Sequence, residues 1–591
     1  MSKDTPGAQA AKTDNSRSRG NIVPVQEGAD ALIELFNSNG VKYIFFNPGS
    51  DLFPVLEAIA RYRSEGKPAP ELVLCPHESV AMSAAHGYYV STGHPQVVMV
   101  HADVGPQQIG GAMHNAQRGR IGVVICTGYP SGIFKDEQRG GRDNYPQWYQ
   151  EQLDPAATLR NYVKWYYQLQ MNENIHVVVN RAFQVAATEP AGPVFLGLPR
   201  ELLMEQIDRV VIPPPGDFTV AESAQPDPES LRQAARWLIE AKHPLGVTGY
   251  SGRNHSSVAP LVQLAEFLGM RVINSGTYMN FPTEHPSCGE RSDMDSLGKA
   301  DVLLVIDHDI PYIPTSVRPS KDARIIYIDI DPIKATMPLW HFPASMRLQG
   351  DSAKAIPSLM QLVSVMVKAE DKARFQQRFA ELKTEKERRK SRYEQAALEK
   401  SRGNSISSEW LCYCINRELK EEDIVLAETT SNSAVLQRYL QRSKPGTFFR
   451  SGGTNLGWGM GAPIGLKLAQ PDKLVVTAVG DGAFIYGCPT AALWTSRNRQ
   501  APFLAVIFNN GAYNAIRKEA MGLYGTDSNL GKSGSMEGLS LKPSPEYTLI
   551  AQACGAKGIK ATRPEDLPGI IKKAVELVRG GETVVLDVLI G

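Results

Sequence analysis

Three stretches of the chain share one rhythm. Short, almost wholly apolar runs alternate with longer segments of helical spacing. A run with no polar side reads as a strand buried on both faces, the habit of parallel sheets. The first stretch carries such runs at residues 41–46, 71–74, 96–100 and 122–126, and the second at 303–306 and 325–328. The third carries them at 424–426, 474–479 and 503–508. Helices are predicted between them, among them residues 80–89 (VAMSAAHGYY) and 489–498 (PTAALWTSRN). Alternation of this kind predicts an α/β fold of three doubly wound parallel-sheet domains.

The breaks in the rhythm set the boundaries. Pro213, Pro214 and Pro215 open a polar linker that runs to Pro228. Residues 368–402 are dense in both charges and predict a solvated helical connector without chemistry. The expected segments are a disordered tail at 1–22, domains at 23–210 and 228–367, a connector at 368–404 and a last domain at 405–591. No short-period repeat is visible.

Composition narrows the function classes. A chain of 591 residues exceeds one core. A net charge of +1, with 42% hydrophobic and 21% charged residues, gives no reason to invoke nucleic acid or a membrane surface. No apolar stretch is long enough to span a bilayer. The seven cysteines are widely spaced, and Cys412 and Cys414 have no second pair to make a zinc site. Reduced thiols in a cytoplasmic setting are the expectation. The first 22 residues are polar, include Asp4 and Asp14, and lack the apolar core of a secretory signal.

The chemistry enters at Gly480-Asp481-Gly482, which is followed after 26 residues by Asn509-Asn510. Both groups end predicted strands, where open α/β sheets bind ligands. A diphosphate needs a cation beside it, and Mg²⁺ takes oxygen ligands in octahedral geometry. A carboxylate (Asp481) and an amide oxygen (Asn510) are suitable hard donors. The glycines let backbone N–H groups approach phosphate oxygens.

This strand-loop-strand arrangement resembles the thiamine-diphosphate-dependent enzymes. The resemblance implies Asp481, the Asn510 side chain and the Ala512 carbonyl as Mg²⁺ ligands. It implies Gly480, Gly482, Ala483 and Tyr513 around the diphosphate. It also names the three blocks as pyrimidine-binding, central and diphosphate-binding domains. Glu78 opens the Ala-rich helix that ends in Gly87-Tyr88, where the family keeps the carboxyl group that activates the cofactor. By itself, a Glu in a first helical turn is also favoured by the helix dipole. Leu456, within the run Gly452-Gly453-Thr454-Asn455-Leu456-Gly457, matches the apolar wedge that bends the cofactor. Thr430 and Ser431, in Glu428-Thr429-Thr430-Ser431, offer hydroxyls to the diphosphate or an N-cap to the next helix.

Within the family the pattern is similar to benzoylformate decarboxylase. The match rests on Asn47-Pro48-Gly49-Ser50, with Ser50 at the substrate, and on His101 after the next strand, where a histidine suits proton transfer. His308, between Asp307 and Asp309, is a second candidate catalytic histidine. Gly105-Pro106-Gln107-Gln108 looks more like acetolactate synthases, and residues 116–121 resemble cyclohexane-1,2-dione hydrolase. The arginine-rich flavin motif of the synthases is not visible, which argues against FAD. The expected cofactors are thus thiamine diphosphate and Mg²⁺. The implied activity is a lyase or carboligase on 2-oxo acids, working through an enamine. The open alternatives are an acetolactate-synthase-like transferase, a diketone-cleaving hydrolase and a catalytically silent cofactor-binding protein. The resemblance implies a homodimer or homotetramer with sites at the subunit interface and a small-molecule substrate. Residues 525–543 read equally as a lid or a mobile loop.

Overall fold

The computed structural model describes residues 20–533 and 537–591. Residues 1–19, most of the stretch read as a tail, lie outside the described residues, as do residues 534–536. The apolar runs form three parallel sheets of six strands each. The N-terminal sheet comprises β1 (Tyr43–Phe46), β2 (Glu71–Leu74), β3 (Gln96–Val100), β4 (Val123–Tyr129), β5 (Tyr166–Gln168) and β6 (Val194–Pro199). The central sheet comprises β7 (Pro244–Thr248), β8 (Arg271–Asn274), β9 (Cys288–Gly289), β10 (Val302–Ile306), β11 (Arg324–Asp329) and β12 (Met346–Gln349). The C-terminal sheet comprises β13 (Ile424–Glu428), β14 (Phe448–Phe449), β15 (Val475–Gly480), β16 (Leu504–Asn509), β17 (Lys557–Ala561) and β18 (Val584–Leu589).

The N-terminal sheet runs β2-β1-β3-β4-β6-β5 and the C-terminal sheet β14-β13-β15-β16-β18-β17. Counted within each sheet, these are the same order. The central sheet differs, with β9-β8-β7-β10-β11-β12, the dinucleotide-fold order. A two-stranded ribbon, Asn21–Pro24 antiparallel to Arg209–Ile212, ties the ends of the first domain together. It begins inside the stretch read as tail, because four residues with one polar end carry too weak a pattern to be read as a strand.

Helix α1 (Glu78–Thr92) connects β2 to β3. The charged segment after the central sheet is one 32-residue helix, α2 (Ala369–Lys400), with only Phe375 and Ala397 buried. Helix α3 (Trp458–Ala469) connects β14 to β15. Helices α1 and α3 therefore occupy the same place in two sheets of the same order, and they pack on each other. Their contact is backbone to backbone. A Cβ on Gly465 would lie 1.8 Å from Ala84 O, and one on Gly87 would lie 2.0 Å from Ala462 O. One apolar core consequently runs from Phe45, Val98 and Ile125 through both helices to Leu426, Val479 and Ile507.

The central domain has its own cores and joins the first domain through buried ion pairs. Arg120 meets Asp309 at 3.1 Å and Asp329 at 3.3 Å, and Arg253, paired inside the central domain with Asp307 at 2.6 Å, reaches Glu189 of the first domain at 2.9 Å. All seven cysteines are free. No helix among the described residues is long and apolar enough to cross a membrane.

Because the α1–α3 contact has no room for a side chain, Gly465→Val should separate the helices. The expected loss is about 3 kcal/mol or more of unfolding free energy, read by chemical denaturation. A surface glycine with free space around it, such as Gly569, should tolerate alanine in the same assay.

Candidate active site

The candidate residues gather at the C-terminal ends of the two like-ordered sheets. In the N-terminal sheet, β1 ends at the turn carrying Ser50 and Asp51, and β3 ends at His101. Ser50 is exposed, whereas Asp51 is only 5% exposed. Asp51 places Oδ1 on His101 Nδ1 and accepts the Ala102 N–H at 3.0 Å through Oδ2. The other ring nitrogen of His101, Nε2, lies 2.6 Å from the Gln150 side-chain amide. The hydrogen bond that the His101 ring donates to Asp51 holds the His101 pKa above the ordinary imidazole value, against partial burial. Glu78, the first residue of α1, is buried nearby, and its charge also bears on His101. The preceding residue, His77, caps the helix by accepting the Ser79 N–H.

In the C-terminal sheet, β15 delivers Asp481 and β16 delivers Asn509 and Asn510. Asp481 is 3% exposed, and its carboxylate accepts the Gly482 N–H at 2.9 Å and the Gly511 N–H at 2.7 Å. Burial raises its pKa above the ordinary carboxylate value, and the backbone N–H groups pull the other way. Asn510 Oδ1 accepts the Ala512 N–H at 3.0 Å, and the Ala512 carbonyl accepts from Asn514 at 2.9 Å. Asn509 turns away and donates to Asp587 at 2.9 Å. Gly480 faces open space, whereas Gly482 and the neighbouring Ala483 are buried. The Tyr513 ring packs on Gly482 so closely that a Cβ there would lie 2.4 Å from it. Leu539 and Leu541 bond back to Tyr513 and Gly511, which pins the far end of residues 525–543 on this loop.

These donors suit a hard divalent cation. Among the described residues Asp481 forms no ion pair, so its buried carboxylate lacks a counter-charge. Also among them, no group of three His, Cys, Asp or Glu side chains is arranged to hold a metal. One carboxylate, one amide oxygen and one carbonyl leave the remaining positions to water and phosphate, which is how Mg²⁺ is usually held.

The glycine-rich loop before α3 carries Leu456, which is half-buried. Asn115 of the N-terminal domain clamps it, donating to Asn455 O at 2.9 Å and accepting from Asn455 N at 3.0 Å. Gly457 ends the loop at φ 91° as the N-cap of α3, a conformation that side-chain-bearing residues avoid. Glu428, the last residue of β13, supplies the acceptors this cap lacks. Its carboxylate receives the N–H of Trp458 at 3.2 Å and of Gly459 at 2.9 Å. Burial outweighs these bonds and pushes the Glu428 pKa up to about 8. Thr430 and Ser431 follow in a single helical turn, Thr430 exposed and Ser431 half-buried.

His308 stands apart. It ends β10 at the switch point of the central sheet, where its ring bonds Ser275 Oγ at 2.8 Å and accepts the Ile310 N–H at 3.1 Å. Burial lowers its pKa to about 4, so it is neutral at physiological pH. Among the described residues no hydrogen bond or ion pair joins it to Ser50 or His101. Asp51, Asn115 and Gln150 were not read from the sequence. Asp51 had a signal, as it directly follows the Asn47–Ser50 run. Asn115 and Gln150 lie in segments whose place is set only by tertiary packing.

Two family models match the chain. The thiamine pyrophosphate enzyme N-terminal TPP binding domain covers residues 26–156, and the C-terminal TPP binding domain covers 428–588. The chain belongs to the thiamine pyrophosphate enzyme family. A benzoylformate decarboxylase of Pseudomonas aeruginosa is 25% identical over 92% of this chain and 96% of its own length. An acetolactate synthase isozyme 3 large subunit of Escherichia coli is 22% identical over 95% and 94%. Among solved structures, a thiamine diphosphate-dependent 4-hydroxybenzoylformate decarboxylase from Rhodococcus jostii superposes with a TM-score of 0.76 at 22% identity, covering 96% of this chain and 99% of that one. That likeness concerns the fold. Decarboxylases and synthases match at nearly equal identity, so the reaction is a question for the site's own residues.

The pH dependence of Glu428 is testable. Unfolded, it releases its proton in the ordinary glutamate range; folded, it keeps it to about pH 8. Its contribution to stability is therefore fullest below the ordinary range and is lost as pH rises towards about 8. Glu428→Gln, which keeps one acceptor, should flatten the stability–pH curve across that window in denaturant titrations. An unchanged slope would assign the pH dependence elsewhere.

Proposed function

We propose that the chain is a thiamine-diphosphate- and Mg²⁺-dependent enzyme that decarboxylates a 2-oxo acid, releasing an aldehyde or passing the two-electron fragment to a second carbonyl. The observation that carries this reading is the group Ser50, Glu78 and His101 at the ends of the N-terminal sheet. It combines an exposed hydroxyl, a buried carboxyl group and a carboxylate-held imidazole. Decarboxylation followed by protonation needs such a set.

Thiamine diphosphate, when bound, supplies the nucleophilic carbon and the electron sink. The protein's own residues do the rest. Asp481, Asn510 and the Ala512 carbonyl would hold Mg²⁺ against the diphosphate, with Gly480, Gly482, Ala483, Thr430 and Ser431 offering backbone and hydroxyl contacts. Leu456 would set the cofactor's bend, and Tyr513 would wall the diphosphate end. Glu78 would hydrogen-bond the pyrimidine ring and keep the tautomer that activates it. Ser50 would hold the substrate's carboxylate or carbonyl. His101 would carry a proton to or from the reacting carbons at Nε2. His308 is better assigned to the central-domain crevice, where the Arg253–Asp307 pair occupies the switch point in place of a phosphate-binding turn. That filling supports a central domain without flavin.

A second copy of the chain is part of this reading. Tyr145 (72% exposed), Tyr149 (81%), Leu523 (80%) and Tyr524 (79%) leave apolar surface in both cofactor-binding domains. Surface of this kind suits burial between subunits. We infer a dimer or tetramer whose sites need both halves.

Two measurements test the proposal. Glu78→Gln should reduce turnover by at least about 100-fold while thiamine diphosphate binding, followed by calorimetry, changes little. Full activity in that variant would sink the assignment. A CO₂-release screen over aliphatic and aromatic 2-oxo acids, with both cofactors present, should find a substrate. Turnover of diketones without CO₂ would move the assignment to carbon–carbon hydrolysis.

A further inference from the structure

Asp51 is built into its place by two glycines. A Cβ on Gly128 would lie 1.5 Å from Asp51 Oδ2, and a Cβ on Gly49 would lie 2.1 Å from His101 Nδ1. Neither position tolerates a side chain while the Asp51–His101 pair is in place. Asp51 is 5% exposed, and His101 is its sole ion-pair partner among the described residues. A buried carboxylate at this turn is not needed to close it, since the Leu52 N–H already bonds to Gly49 O at 3.0 Å.

The pair has a direction. A carboxylate can only accept, so His101 Nδ1 carries the proton that faces Asp51. The lone pair of the neutral ring is then on Nε2, and there the Gln150 amide sits at 2.6 Å in the role of donor. Gln150 comes from the segment after the short helix Pro146–Tyr149, and its neighbour Gln152 bonds Asp103. The segment is thus laid over His101 by two amides, and the atom it covers is the one a substrate must reach. The charged groups facing His101 are Asp51 from the β1 turn, Glu78 from α1 and Asp103 from its own loop, and all three are acidic.

Resting on the reading of His101 as the proton carrier, we propose that Asp51 is a positioning residue that locks His101 in the Nδ1–H tautomer and so assigns proton transfer to Nε2, the atom the Gln150 amide marks. The consequence for substitution is specific. Ala102 N–H needs an acceptor, so in Asp51→Asn the amide oxygen turns to Ala102 and the NH₂ faces His101 Nδ1. The ring must then accept at Nδ1, and its proton moves to Nε2. The imidazole stays in place with its hydrogen-bonding pattern reversed.

The test uses the holoenzyme with thiamine diphosphate and Mg²⁺, labelled with ¹⁵N-histidine, the His101 signals being assigned by their loss in His101→Gln. In the unsubstituted protein His101 should be the Nδ1–H tautomer when neutral, and it should titrate above the ordinary histidine value. In Asp51→Asn the tautomer should reverse and the titration should move down by about one unit or more, the effect of losing an adjacent opposite charge. The pH limb of kcat/KM that His101 sets should move the same way, to lower pH, and kcat/KM should fall about 100-fold, the ordinary share of a general acid–base group. An Nε2–H tautomer in the unsubstituted enzyme would overturn the proposal, whether or not the variant folds. So would an unchanged tautomer and pH limb in a folded Asp51→Asn. The spectroscopic arm needs no turnover. A chain that releases no CO₂ but shows the Nδ1–H lock would lose the functional reading and keep the dyad; the reverse result would do the opposite.

Discussion

The contact between α1 and α3 is the constraint on which the rest of the molecule depends. Two helices whose backbones touch through Gly87, Gly461 and Gly465 have little freedom to slide. Glu78 is the first residue of one helix, and Leu456 stands two residues before the other. The contact therefore sets the relation between a carboxyl group on the N-terminal sheet and an apolar side chain on the C-terminal sheet. Small residues make this possible because close-packed interiors transmit displacement rather than absorb it. Asn115 and Glu428 extend the same constraint outwards, one clamping the loop before α3 and the other capping the helix.

The buried carboxyl groups around this frame are compensated in three ways. Glu428 meets only backbone N–H groups, and burial leaves it holding its proton to about pH 8. Asp481 meets backbone N–H groups as well, but its setting of neutral oxygens leaves a place for a cation. Asp51 faces an imidazole. A proton, a divalent metal and a titratable ring are the three partners available to a carboxyl group without Lys or Arg. The proposed function assigns these carboxyls structural, metal-binding and proton-handling roles according to what the chain sets opposite each.

Much of this was legible in the residues. Strands buried on both faces announce themselves as unbroken apolar runs, and β3, β15 and β16 fall within a residue of the runs that signalled them. The Asp481–Asn510 group was legible because both residues sit at strand ends, a local feature. The Asp51–His101 pair was not, because fifty residues separate its members and only the β1–β3 pairing brings them together. His308 was read as a candidate from the resemblance and its place after a central-domain strand; its hydrogen bond to Ser275 depends on tertiary packing that no local pattern records. The shared strand order of the outer sheets was invisible for a related reason. Strand order is set by pairings between segments far apart in the chain, which no local run of residues records.

That shared order gives the site its logic. The first strand of each outer sheet ends in hydroxyl residues, Ser50 after β1 and Thr429, Thr430 and Ser431 after β13. The third strand ends at His101 in one sheet and at Asp481 in the other. The connection from second to third strand carries α1, opened by Glu78, in one and α3, preceded by Leu456, in the other. Equivalent positions on two like scaffolds thus hold different side chains, which the proposed function uses for proton handling on the first and for diphosphate and metal on the second. Strand ends are where parallel sheets leave backbone groups and loop side chains free for ligands. A molecule with one charged end and one reactive end is matched by two such edges more readily than by one. The packing of α1 on α3 then fixes the two edges relative to each other within one chain, and in the proposed assembly a second copy of the chain completes each site.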